Sequence, residues 1–140
     1  MNNLISKENI DKITKLLKKE EAIICAYLFG SRLKGKEIKS SDLDIAAVCF
    51  DKSDVDIRKL MAEVQKIFPK VETDFSLADL ESEPIFLIQI INGRVIYEKS
   101  TTDRASLESK IILKYEDTRR FRNIRNYYLD KSFKEGIYAN

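Results

Sequence analysis

"YLFGSRLKGKEIKSSDLDIAAV", Tyr27 to Val48, is the stretch whose reading decides the fold. An apolar run stops at Gly30-Ser31. After ten intervening residues, Asp42 and Asp44 open a second apolar run. Burying carboxylates is costly unless they are paired or hold a cation. Residues two apart on a strand share a face, so Asp42 and Asp44 point the same way. Converging carboxylates suit the divalent ions of two-metal phosphoryl transfer. Mg²⁺ fits best, because it prefers oxygen ligands and lets substrate phosphates complete its shell. The first half of the stretch complements the second. Gly30 lets backbone approach a ligand closely. Ser31 would open a short helix whose N–H groups and dipole attract phosphate, and Arg32 and Lys34 can offset a triphosphate's charge. Each half alone is common: Gly-Ser is a routine turn, and the acids could be solvated or cap a turn. The joint pattern carries the information.

Working outward, Ala22–Phe29 has the length and unbroken apolarity of a strand covered on both faces. Asp42–Phe50 is a second strand. Before them, Ile10, Ile13, Leu16 and Leu17 recur at helical spacing, with Ser6 placed to cap a helix over Lys7–Lys19. After them, Ser53 or Asp54 can cap a helix carrying Ile57, Leu60, Met61, Val64, Ile67 and Phe68 on one face. Pro69 stops it at Phe68. Lys70–Phe75 alternates as a third strand, with Val71, Thr73 and Phe75 on one face and Glu72 and Asp74 on the other. Either acid could add a third carboxylate to the pair.

Ile85–Lys99 has two readings. Asn92-Gly93 between apolar runs is a strong hairpin signal, which the sequence alone slightly favours. A helix capped at Ser82, with Pro84 in its first turn and Gly93 left-handed just past its end, is the other. The tail from Thr101 to Phe133 reads as one long helix. Leu107, Ile111, Tyr115, Thr118, Phe121, Ile124 and Tyr128 step by three or four, beside Arg119, Arg120, Arg122 and Arg125. This helix either packs its stripe on the sheet with a solvated Arg face, or offers a surface to RNA or an acidic partner. Alternating helices and strands make the class α/β (α+β), a small mixed sheet flanked by helices.

Composition narrows the chemistry. The 140 residues suit a single domain with a real core. The chain is 44% hydrophobic and 34% charged, with 4 Gly and 2 Pro, which argues against disorder. A net charge of +2 is too mild to point to direct nucleic-acid binding. Cys25 and Cys49 lie in apolar runs and read as buried, reduced thiols. There is no His, which removes His-based zinc sites and triads. No signal-peptide pattern and no 18-residue apolar run is present, so the expected location is cytoplasmic.

Apolar strand, Gly-Ser, ten residues, Asp-x-Asp, strand, helix, then a strand bearing an acid: this order resembles the DNA polymerase beta-like nucleotidyltransferase superfamily. It is most similar to the minimal nucleotidyltransferase (MNT) proteins, which read "FGSRARG…SDxDL". Phe29, Gly30, Ser31, Arg32, Gly35, Ser41, Asp42 and Asp44 fall on that motif. Leu33-Lys34 departs from the family's usual Ala-Arg, a matter of packing more than chemistry.

The resemblance implies one minimal domain over residues 1–140, with a helix near 83–92 and a fourth strand at 94–98. It implies Asp42, Asp44 and Asp74 as catalytic and metal ligands for two Mg²⁺, with Glu72 the fallback for the third. Gly30, Ser31 and Arg32 would bind the nucleotide, ATP. The implied reaction moves AMP from ATP to a hydroxyl, a tyrosine of a HEPN ribonuclease toxin, within a heteromeric complex of a type VII-like toxin–antitoxin pair. Two other readings stand beside it. One is an antitoxin that blocks its partner by contact without catalysis. The other is a nucleotidyltransferase acting on a small molecule such as an aminoglycoside.

Overall fold

The structure is a computed structural model that describes residues 5–30 and 43–139. Four strands form one sheet in the order β3-β2-β1-β4. They are β1 (Ile23–Phe29), β2 (Leu43–Cys49), β3 (Thr73–Ala78) and β4 (Arg94–Glu98). β1 runs antiparallel to both β2 and β4, while β2 and β3 are parallel. Parallel neighbours need a crossover, supplied by helix α2 (Ile57–Ile67).

The two central strands are buried on both faces, as the apolarity of β1 and of β2 beyond Asp44 predicts. Helix α1 (Lys7–Lys18) and α2 cover one face, where Ile13, Leu17, Leu60 and Val64 meet Ile45, Ala47 and Phe75. Helices α3 (Pro84–Ile91) and α4 (Thr101–Ala139) cover the other, where Leu87, Ile90, Leu107 and Ile111 meet Tyr27, Ala46 and Val48. Register shifts in β1, between Ile23 and Cys25 against β2 and between Ala26 and Tyr27 against β4, break its strict alternation. Ile24 and Cys25 therefore face the same layer.

Ser6 caps α1 as expected, accepting the Asn9 N–H at 3.1 Å. The expected cap of α2 is corrected. Asp51 instead closes a 3₁₀ turn over Lys52–Asp54, Val55 is extended, and Asp56 accepts the Lys59 N–H at 3.3 Å. Helix α2 ends with Phe68 as its C-cap, ahead of Pro69.

The third strand starts three residues later than read. Gln65 holds its approach: its amide donates to the Phe68 and Val71 carbonyls, and its oxygen accepts the Thr73 N–H at 3.0 Å. Gln65 thus pins the chain up to the first residue of β3, where pairing with β2 starts.

The hairpin at Asn92-Gly93 does not form. The segment is α3 followed by β4, the alternative implied by family resemblance. Its caps also differ from expectation. Glu83, not Ser82, is the N-cap residue, and Ser82 Oγ accepts the Asp79 N–H at 3.1 Å. Gly93 has no positive φ. Its need for glycine is proximity: a Cβ there would overlap the Leu28 carbonyl oxygen.

Helix α4 reaches Ala139, beyond the expected Phe133. Its first turns are stapled to the sheet. The Tyr27 hydroxyl donates to Glu108 Oε1 at 2.9 Å, and Arg104 bridges Glu108 and Glu98. Burial and the Glu108 carboxylate hold the Tyr27 phenol far above its ordinary pKa, so it stays a donor. Among the described residues, no helix is long and apolar enough to cross a membrane.

Candidate functional site

The site is built where β1 ends and the parallel pair β2 and β3 begins. Phe29, the last residue of β1, lies opposite Asp44 on β2, and Asp44 lies opposite Asp74 on β3. In-register neighbours on a parallel pair project to the same face, with strands about 4.8 Å apart. That face is the α3/α4 side, because Ala46, Val48 and Ala78, at even offsets from the two acids, pack there. Asp44 is half-buried and Asp74 exposed, so the acids mark a rim open to ligand.

Two carboxylates in register repel each other in the absence of a cation. An all-oxygen donor set of this kind matches a hard divalent ion and not a soft one. Among the described residues, no cluster of three or more potential metal ligands is present. The residues described thus offer Asp44 and Asp74 as two oxygen donors of such a site.

Gly30 closes β1 with φ +92, a backbone conformation that costs an L side chain about 1–2 kcal/mol. A Cβ built on Gly30 would overlap Asp44 Oδ2, with Asp44 Cγ only 3.1 Å away. The turn's conformation and the carboxylate's position are therefore one constraint.

Of the other residues expected in the site, Glu72 lies just before β3 on the Asp74 face. Its carbonyl accepts the Leu43 N–H at 2.9 Å, which fixes the start of the parallel pairing. Ser31, Arg32, Lys34, Gly35, Ser41 and Asp42 lie outside the described residues, as does the short helix expected to open at Ser31.

One neighbour of the site had no sequence signal. Phe86 on α3 meets Phe29 edge to face, with ring centroids 6.2 Å apart. Both rings are partly exposed, and they make an apolar wall at the β1 end of the acid row. Within "PIFLIQII" every position is apolar except one, so periodicity could not single Phe86 out.

Comparison with known proteins bears on the family and the fold. Residues 11–102 match the family model described as polymerase beta, nucleotidyltransferase. The chain is 37% identical over 98 residues to the protein adenylyltransferase MntA of Shewanella oneidensis, covering 68% of this chain and 69% of that one. Among solved structures, it superposes on a chain of a toxin–antitoxin crystal structure with AMP-PNP at TM-score 0.59 and 23% identity. That match covers 86% of this chain and 98% of the other. A chain of the tri-AMPylated Shewanella oneidensis HEPN toxin in complex with MNT antitoxin also matches at TM-score 0.59 and 23% identity, covering 91% and 98%. The structural likenesses carry the fold.

Proposed function

We propose a function from one premise: the chain belongs to the polymerase beta nucleotidyltransferase family. On that premise it is a protein adenylyltransferase and an antitoxin. It moves AMP from ATP to a tyrosine hydroxyl of a cognate HEPN-domain toxin, in a heteromeric complex in the cytoplasm. The observation that carries this reading is the Phe29–Asp44–Asp74 register beneath Gly30, which sets two carboxylates beside a glycine turn of the kind a nucleotidyltransferase needs. The 37% identity to a protein adenylyltransferase supports the choice of AMP and of a protein acceptor. AMP-PNP in one matching toxin–antitoxin structure supports ATP as the donor.

In this reading Asp42, Asp44 and Asp74 would hold two Mg²⁺, which would screen the triphosphate and favour departure of pyrophosphate. Asp74, the exposed acid, takes the proton from the attacking hydroxyl. The hydroxyl oxygen bonds to the α-phosphorus, and the bond from that phosphorus to the bridging oxygen breaks. Pyrophosphate leaves, and Ser31 and Arg32 would bind its oxygens through hydroxyl and guanidinium. Glu72 serves as third ligand only if Asp74 does not.

Contact alone is the competing account of an antitoxin. Co-expression of the toxin with the Asp42→Ala, Asp44→Ala double variant separates the two. The proposal expects toxicity to return although the complex still forms. Full neutralisation by that variant would show that contact suffices and overturn the catalytic reading.

A further inference from the structure

Helix α4 carries two apolar stripes, not one. Leu107 and Ile111 are buried against the sheet and α3, and Tyr115 and Thr118 are partly buried. The second stripe is exposed: Leu113 is 65% exposed, Phe121 71%, Ile124 56% and Tyr128 59%. At 3.6 residues per turn, Leu113, Phe121, Ile124 and Tyr128 centre about a third of a turn away from Leu107, Ile111 and Tyr115. The outward stripe is therefore not a continuation of the inward one. The segment from residue 119 to 139 is about 31 Å of helix at 1.5 Å per residue. A helix of that length draws most of its stability from burying an apolar face.

Charge says what covers it. Residues 101–140 hold nine Lys or Arg against six Asp or Glu, while the whole chain is only +2. Arg120 and Arg125 are exposed and border the stripe. The stripe carries one exposed acid, Asp117, against two exposed arginines, so a second copy would bring a net positive surface to a net positive surface. Nucleic acid fits less well. The stripe includes the aliphatic Leu113 and Ile124, and other arginines are engaged within the helix. Arg119 lies 3.5 Å from Glu116, and Arg122 stacks on Tyr115 at 5.1 Å while donating to Thr118. Anchors at i, i+3 and i+7 suit an apolar groove between helices of a protein.

We infer that this outward stripe is where the toxin docks, through an apolar groove on the toxin bordered by carboxylates that face Arg120 and Arg125. The inference rests on the proposed antitoxin function and names the surface it uses.

Two variants test it with purified, full-length chain and toxin. One is Phe121→Ser, Ile124→Ser, Tyr128→Ser. The other is Arg120→Glu, Arg125→Glu, which leaves helix propensity nearly unchanged. Each should bind toxin at least about tenfold more weakly, the size of effect expected when anchor residues are removed. The half-saturating toxin concentration in AMP transfer should rise in step, and the charge-reversal effect should shrink at high salt. Wild-type binding by the charge-reversed variant together with the triple variant overturns the docking surface and leaves the function standing. Loss of self-association or of RNA binding, with toxin affinity unchanged, overturns it likewise. Failure of the wild-type chain to bind toxin removes the function and this surface together.

Discussion

Gly30 and Asp44 share one space: the position a Cβ would take on Gly30 is occupied by the Asp44 carboxylate. Strand β1 ends in a backbone turn that only glycine adopts without strain, and β2 begins with an acid pressed against it. Gly30 and Asp44 thus interlock the end of β1 with the start of β2.

Gly30→Ala should therefore disable the site without unfolding the protein. The new methyl must push the Asp44 carboxylate aside, and displacements of about 1 Å at a catalytic group can cost about a hundredfold in rate. AMP transfer should fall by about that factor, while thermal unfolding moves by only a few degrees. Transfer within a few-fold of wild type would mean that Asp44 does not need its present position.

Asp74 and Glu72 can be told apart. Asp74 is the residue in register with Asp44, whereas Glu72 precedes β3. Asp74→Asn should lower AMP transfer by more than about a hundredfold, since even residues behind a metal ligand cost ten- to a hundredfold. Glu72→Gln should stay near wild type. Mn²⁺ titration in the presence of a non-hydrolysable ATP analogue gives an independent reading, weakened by the first change and not the second. The reverse ranking would move the third ligand to Glu72.

Gly93 makes a purely structural prediction. Its missing Cβ leaves room for the Leu28 carbonyl of β1, with the carbonyl carbon 3.0 Å from where a methyl would sit. Backbone cannot swing away as a side chain can. Gly93→Ala should destabilise the fold by about 1–3 kcal/mol, the usual cost of overpacking. Denaturant midpoints measure it, and an unchanged midpoint would show that β4 shifts freely on β1.

Alkaline pH should weaken the fold through its two thiols. Burial raises Cys25 and Cys49 from the ordinary 9.0 to about 11. The unfolded chain releases these protons near pH 9, while the folded chain keeps them to about 11. Between those values the folded state binds more protons. The stabilisation is complete below pH 9 and is lost as pH rises toward 11. A Cys25→Ala, Cys49→Ala variant should show a shallower loss of stability over that window. Both native thiols should resist alkylation at pH 8 until the protein unfolds. An identical pH slope in the variant would place the alkaline loss elsewhere.

The sequence was most legible where burial is two-sided or a cap is local. β1 is a continuous apolar run and β2 one beyond Asp44, and the Ser6 side chain caps α1 by accepting an N–H three residues on. Asp44 and Asp74 could be paired only in outline, since their register depends on a crossover that the sequence does not encode locally. The hairpin reading failed because Asn92-Gly93 has the same local chemistry in a turn and at a helix end. The Leu28 carbonyl, 65 residues earlier in the chain, helps decide between them. The single stripe drawn on α4 failed for a related reason. Steps of three or four drift around a long helix, so residues that look aligned separate into an inward face near Leu107 and an outward face near Phe121.

The central claim is that the Gly30–Asp44–Asp74 site transfers a nucleotide to the toxin, and the label's position in ATP tests it most directly. Toxin incubated with this chain and Mg²⁺ should acquire label from ATP marked at the α-phosphate and none from ATP marked at the γ-phosphate. Asp44→Asn should abolish the transfer. Label from the γ position, or α-label that survives Asp44→Asn, would contradict the account.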